Sequence, residues 1–143
     1  MQTKANKTNM SQTAEQDPKS DAVALDPEVL VAARAASDKK AIDIVVLDLR
    51  AVASFTDYFV ICNGANSRQV QAIAEGVEDA LRQDGKRPLH TEGYSAADWI
   101  LLDYGDFIVH VFGAQTRKFY DLERLWRDAT RAALPDDLAA QNQ

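Results

Sequence analysis

The sequence predicts an α/β (or α+β) domain, a mixed sheet flanked by helices, on three observations. Two dense β-branched runs, Ile42–Leu49 and Tyr58–Cys62, have the composition of strands buried on both faces. Helical spacing of apolar residues follows in Val70, Ile73, Val77 and Leu81. A pair of runs around Tyr104-Gly105-Asp106 then reads as an antiparallel hairpin. The resulting order is helix, strand, strand, helix, a run of strands, helix, which a central mixed sheet covered by helices accommodates.

The elements follow in order. From Met1 to about Val23 the chain is mostly polar, with little apolar surface to offset the entropy of ordering it. Residues 1–25 are therefore expected to be a flexible extension, and 26–134 the folded domain. A first helix starts at Asp26-Pro27-Glu28, where an aspartate suits the cap, proline the first helical position and glutamate the positive helix end. Val29, Leu30, Ala33 and Ala36 form its stripe. After the two buried strands, Asn63-Gly64-Ala65-Asn66 ends the second, Asn66 and Gln69 make a capping box, and Gly85 stops the next helix. A short strand is placed near Leu89–Glu92, then strands over Trp99–Asp103 and Phe107–Phe112. The spacing of Phe119, Leu122, Leu125, Trp126, Ala129 and Ala133 predicts one last helix from about Arg117 to Leu134. Pro135 closes it, and 135–143, with Leu138 as the one larger apolar residue, reads as a flexible tail.

Composition excludes several function classes. At 143 residues, 46% hydrophobic and 27% charged, the chain has the size and balance of one globular domain. It has no apolar run of about 18 residues for a membrane span and no secretory h-region, so a cytoplasmic location is expected. One cysteine, Cys62, excludes an internal disulfide and a thiolate-built zinc site. The 22 acidic and 16 basic residues give a net charge of −6, and 17 acidic against 13 basic over 26–134 give −4. That excess repels a phosphate backbone and favours a basic protein partner.

The candidate chemical groups read mostly as structural. Cys62 lies in an apolar run with no histidine near it in sequence, and His110 between Val109 and Val111 reads as a packed, hydrogen-bonded side chain. Gly64-Ala65-Asn66-Ser67 precedes a helix but lacks the lysine of a phosphate loop and the spaced glycines of a dinucleotide site. Asp43 and Asp48, and Asp103 and Asp106, are not D-x-D pairs that would aim two carboxylates at one magnesium ion. No cofactor or metal is expected. In the hairpin, alternation puts Trp99, Leu101 and Asp103 on one face and Ile100, Leu102 and Tyr104 on the other. Both faces are apolar, so one covers the core and the other lies under a helix or forms an exposed patch.

Four segments, Lys40–Asp48, Thr56–Gly64, Trp99–Phe112 and Arg117–Trp126, with Ser67–Val70 and Glu92-Gly93 between them, resemble the ribosomal silencing factors, or Iojap-like proteins. The match runs in the family's order over roughly 30–131. The resemblance implies a mixed sheet of about five strands, similar to a nucleotidyltransferase fold but without that activity. It implies docking on the large ribosomal subunit, at the ribosomal protein numbered fourteen, so that the small subunit cannot join and translation is repressed when nutrients are scarce. By position it assigns partner binding to Trp99, Leu101, Asp103 and Tyr104 of the hairpin and to Arg117, Tyr120 and Glu123, and it allows a homodimer. Cys62 and Asn63 depart from the small or serine-like residues commoner before the family's glycine. The alternatives are a divergent nucleotidyltransferase, which the missing acid pair disfavours, and a bare dimerisation module.

Overall fold

The computed structural model describes residues 25–141. The expected N-terminal extension lies outside them except for Leu25, which is partly buried against the core. Strands β1 (Ile42–Asp48), β2 (Tyr58–Gly64), β3 (His90–Glu92), β4 (Trp99–Asp103), β5 (Phe107–Gly113) and β6 (Thr130–Arg131) form one sheet in the order β3-β4-β5-β2-β1-β6. The central pair β2/β5 is parallel and every other pairing is antiparallel. The sheet is thus mixed, with the two-residue β6 as a sixth strand.

Helices α1 (Pro27–Asp38) and α2 (Ser67–Gln83) cover one face. Local signals set both. Asp26 accepts the Glu28 N–H at 2.8 Å, and Asn66 accepts the Gln69 N–H at 2.9 Å. Gln69 reaches back to the N–H of Ala65, one residue earlier than a capping box requires, and its amide donates to the Lys40 carbonyl at 3.0 Å, joining the two helix ends. At the far end Gly85 takes φ +80°, its N–H bonding the Arg82 carbonyl and that of Lys86 the Leu81 carbonyl. A residue with a Cβ would be strained in that left-handed cap. The small residues Ala32, Ala33 and Ala36 of α1 are fully buried, as are Val70, Ile73, Val77 and Leu81 of α2, against Val46, Val60, Ile100, Leu102, Val109 and Val111 of the sheet.

Three sequence expectations need correction. Strand β2 is buried along its whole length, but β1 is not buried on both faces throughout: Ile42 and Asp43 are exposed, and a bulge between Ile42 and Val45, with Asp43 at φ +52°, turns the strand's start outward. The single helix over 117–134 is instead α3 (Ala114–Tyr120), a left-handed Asp121 at φ +48°, the one-turn α4 (Leu122–Leu125) and then β6. The break at Asp121 drops Leu122 onto Leu47, Leu49 and Phe59, and lets Thr130 and Arg131 pair with Asp48 and Leu47. A continuous helix would forfeit both. Nor is the end of the described chain a loose tail. Asp136–Gln141 forms α5, whose Leu138 is buried and whose Asp137 meets Arg34 of α1 at 2.6 Å.

Candidate functional site

The sheet's second face carries the candidate site. Pleating sends Trp99, Leu101 and Asp103 of β4 to this side, directly opposite Phe112, His110 and Ile108 of β5. The parallel register continues the rows onto Phe59, Ile61 and Asn63 of β2. Leu47, Leu49, Phe59, Ile61, Phe112 and Leu122 form a small core here, with Trp99, Ile108 and Trp126 partly buried at its margin. Among the described residues only the short α3–α4 segment lies over it, and large apolar groups around it stay open: Phe55 is 57% exposed, Phe119 80%, Tyr120 49% and Leu125 69%. Concentrated around one sheet face, such exposure is characteristic of an interaction surface.

Aromatic contacts organise the face. The Trp99 ring lies 4.7 Å from Tyr120 and 4.9 Å from Phe112 between centroids, and Phe59 meets His110 edge-on at 4.5 Å. Trp126 stands edge-on to Phe59 at 6.0 Å and Phe55 leans on it at 5.8 Å. The Trp99 indole N–H donates to His110 Nδ1 at 3.1 Å. Burial pushes the His110 imidazole down to about 3, so it is neutral near pH 7.

The residues assigned to partner binding fall into three groups. Trp99, Leu101 and Tyr120 share the open face. Asp103 stands on that side at the hairpin end, where its Oδ1 accepts the Gly105 N–H at 2.8 Å and shapes the turn. Tyr104 does not belong with them. It is 4% exposed, packs in the helix-covered core and stacks on Phe107 at 5.0 Å, because the strand's alternation sends it to the side of Ile100 and Leu102. Its buried hydroxyl has no hydrogen-bond partner among the described residues, and burial pushes its ionisation upward.

Arg117 and Glu123 lie on the same side of the sheet but at its β1 end, against Asn63 and the β1 bulge. The guanidinium bonds Glu123 through Nη2 at 2.9 Å and Nε at 3.4 Å, Asn63 Oδ1 through Nη1 at 2.8 Å, and the Ile42 carbonyl at 3.4 Å. Arg131 approaches the same glutamate at 3.5 Å. This network spans the Asp121 break and lines a cleft of about 830 Å³ with Ile42, Asp43 and Leu134. With its donors engaged, Arg117 serves as a strut beneath α3 and α4, and of the three assigned residues Arg117, Tyr120 and Glu123 it is Tyr120 that reaches the open face.

The other candidates are occupied structurally. Cys62 is fully buried and burial pushes its thiol up to about 12. Asp48 is bonded by Arg50, which holds its carboxyl below the usual range. At the α2 start the Ala65 N–H is taken by Gln69 and the Gln69 N–H by Asn66. Among the described residues no group of three or more His, Cys, Asp or Glu could hold a metal ion, and no helix is long and apolar enough to cross a membrane. Sequence reading missed Phe55 and Trp126 as parts of the open face. An aromatic in the polar loop Ser54-Phe55-Thr56 was the available signal.

Comparison with known proteins agrees with this architecture. Residues 22–143 match the family model described as ribosomal silencing factor during starvation. The ribosomal silencing factor of Bacillus subtilis is 44% identical over 104 residues, covering 73% of this chain and 88% of that one. The chloroplast protein Iojap of Zea mays is 36% identical over 109 residues, 76% of this chain and 47% of its own length. A mouse protein named mitochondrial assembly of ribosomal large subunit protein 1 is 32% identical over 100 residues, 68% of this chain and 42% of that one. Among solved structures, a Bacillus halodurans protein superposes with a TM-score of 0.62 at 41% identity, covering 67% of this chain and 90% of the other. One from Chromobacterium violaceum gives 0.68 at 32% identity, covering 72% and 88%.

Proposed function

Because this chain belongs to the ribosomal silencing factor family, we propose that it binds the large ribosomal subunit at the ribosomal protein numbered fourteen. Bound there, it blocks the small subunit from joining and represses translation in the cytoplasm under nutrient limitation. The observation that carries this reading is the open apolar face around Trp99, Leu101 and Tyr120, presented by a chain of net charge −6. An aromatic anchor supplies contact area at low entropic cost, and the acidic excess suits a basic partner more than bare RNA. The mouse relative's name also refers to the large ribosomal subunit. The action is steric and non-catalytic, and residues 1–22 contribute nothing to it. A homodimer, if formed, would use the same apolar face and compete with docking.

Sucrose-gradient sedimentation with separated subunits tests the reading. The protein should travel with large subunits and reduce their joining to small ones, with or without residues 1–22. Trp99→Ala should weaken binding by about 30-fold, the effect of losing roughly 2 kcal/mol at a central interface aromatic. Normal subunit joining in the presence of excess protein, or full binding by Trp99→Ala, would overturn it.

A further inference from the structure

We propose that His110 is a positioning residue, which holds the Trp99 indole in the orientation that docks; the proposal rests on the docking reading above. An indole N–H only donates, so the 3.1 Å bond to Nδ1 makes that nitrogen the acceptor and leaves the imidazole proton on Nε2. Nε2 is itself buried and has no hydrogen-bond partner among the described residues. His110 therefore stands among Phe59, Phe112 and Trp99 with one polar atom satisfied and the other not. A phenylalanine would fill the same place without burying an unpartnered Nε2–H, and what it would lose is the acceptor of the Trp99 N–H.

What the imidazole supplies, and a hydrocarbon ring cannot, is an acceptor at one point on the Trp99 ring edge. Trp99 is held on its other sides by Phe112 and Tyr120, both of which are contacts a tilted indole can also make. The hydrogen bond selects one orientation from those the packing allows. It also satisfies the indole N–H within the protein, so that docking need not desolvate it. Burial keeps His110 neutral at physiological pH, and Nδ1 therefore stays an acceptor.

Three variants of the full chain test this. His110→Phe removes the acceptor at similar volume, His110→Leu does so without overpacking, and His110→Asn offers an amide oxygen near the Nδ1 position. The chain has two tryptophans, so a Trp99→Phe spectrum assigns the two indole N–H resonances. In the free protein the Trp99 indole proton should exchange slowly, exchange faster in the Phe and Leu variants, and regain protection in the Asn variant. Affinity for large subunits should fall roughly 2- to 12-fold in the Phe and Leu variants, the range for ordering one interface side chain on binding, and recover with Asn. In a Trp99→Ala background, His110→Phe should change affinity by no more than about twofold. Full binding by a folded His110→Phe or His110→Leu protein, or an additive loss in the Trp99→Ala background, overturns the role of His110. If Trp99→Ala itself binds normally, the docking reading falls and this role with it. Weak binding by Trp99→Ala beside normal binding by His110→Phe refutes the positioning role alone.

Discussion

Replacing Arg117 by methionine separates a strut from a docking group. Its side chain is 11% exposed and makes two bonds shorter than 3.0 Å, to Glu123 at 2.9 Å and to Asn63 at 2.8 Å. The two contacts at 3.4 Å add little. Hydrogen bonds involving a charged group contribute about 1.5 to 3 kcal/mol each, and bonds that share one guanidinium are not additive. Asn63 is buried, so its Oδ1 would be left without this donor, whereas Glu123 keeps Arg131 at 3.5 Å. The expected loss is therefore about 2 to 4 kcal/mol, a fall in melting temperature of the order of 10 °C for a domain of this size. Arg117→Lys, which keeps the charge and loses the planar fork, should recover only part of it. Thermal and urea melts of the isolated protein measure both. An Arg117→Met protein that melts within a degree or two of the parent and yet fails to bind large subunits would show that the guanidinium is a docking group after all.

Tyr104→Phe removes a buried hydroxyl that has no partner among the described residues, so it should leave stability unchanged or raise it by about 1 kcal/mol, with normal subunit binding; loss of binding in a stable variant would return Tyr104 to the docking surface. Because His110 titrates near 6.5 when unfolded and at about 3 when folded, its contribution to stability is complete above about pH 6.5 and is lost as the pH falls toward 3, by up to about 1.4 kcal/mol per pH unit. Urea melts from pH 7 to 4 should show a shallower pH dependence in His110→Phe than in the parent, and parallel curves would contradict the assignment. Leu138→Ala should cost about 2 kcal/mol or more in urea melts, since Leu138 is 2% exposed against the core, and a neutral result would mean that α5 adds nothing to stability.

What the sequence disclosed follows from how local each determinant is. The α2 helix was readable because its cap, its apolar spacing and its terminating glycine all lie between Asn66 and Gly85. The hairpin was readable because alternation and the Gly105 turn are equally local. Alternation also sorted Trp99 and Leu101 from Ile100, Leu102 and Tyr104. It could not tell which set the helices would cover, and the family resemblance assigns the whole hairpin to the partner, Tyr104 included, although alternation sets Tyr104 on the face opposite Trp99. The C-terminal segment misled because Phe119, Leu122, Leu125, Trp126 and Ala129 keep helical spacing, while the pairing of Thr130–Arg131 with β1 is fixed by residues more than 80 positions earlier. The bulge at Asp43 and the His110–Trp99 bond are likewise products of register, and register is a property of the assembled sheet.

The parallel pairing at the centre of the sheet sets a schedule for the chain's own synthesis. Tyr58 meets Phe107 and Gly64 meets Gly113, partners 49 positions apart, so β2 has no neighbour on that side until β5 has left the ribosome. The β1/β2 hairpin and α2 form earlier from local contacts, but closing the long loop between β2 and β5 is slow and must wait for the later strand. Trp99 gains its supports later still, because Phe112 and Tyr120 are made after it. A nascent chain therefore lacks the assembled apolar face for most of its translation. The face proposed to dock on the large subunit is thus among the last features of the fold to be completed.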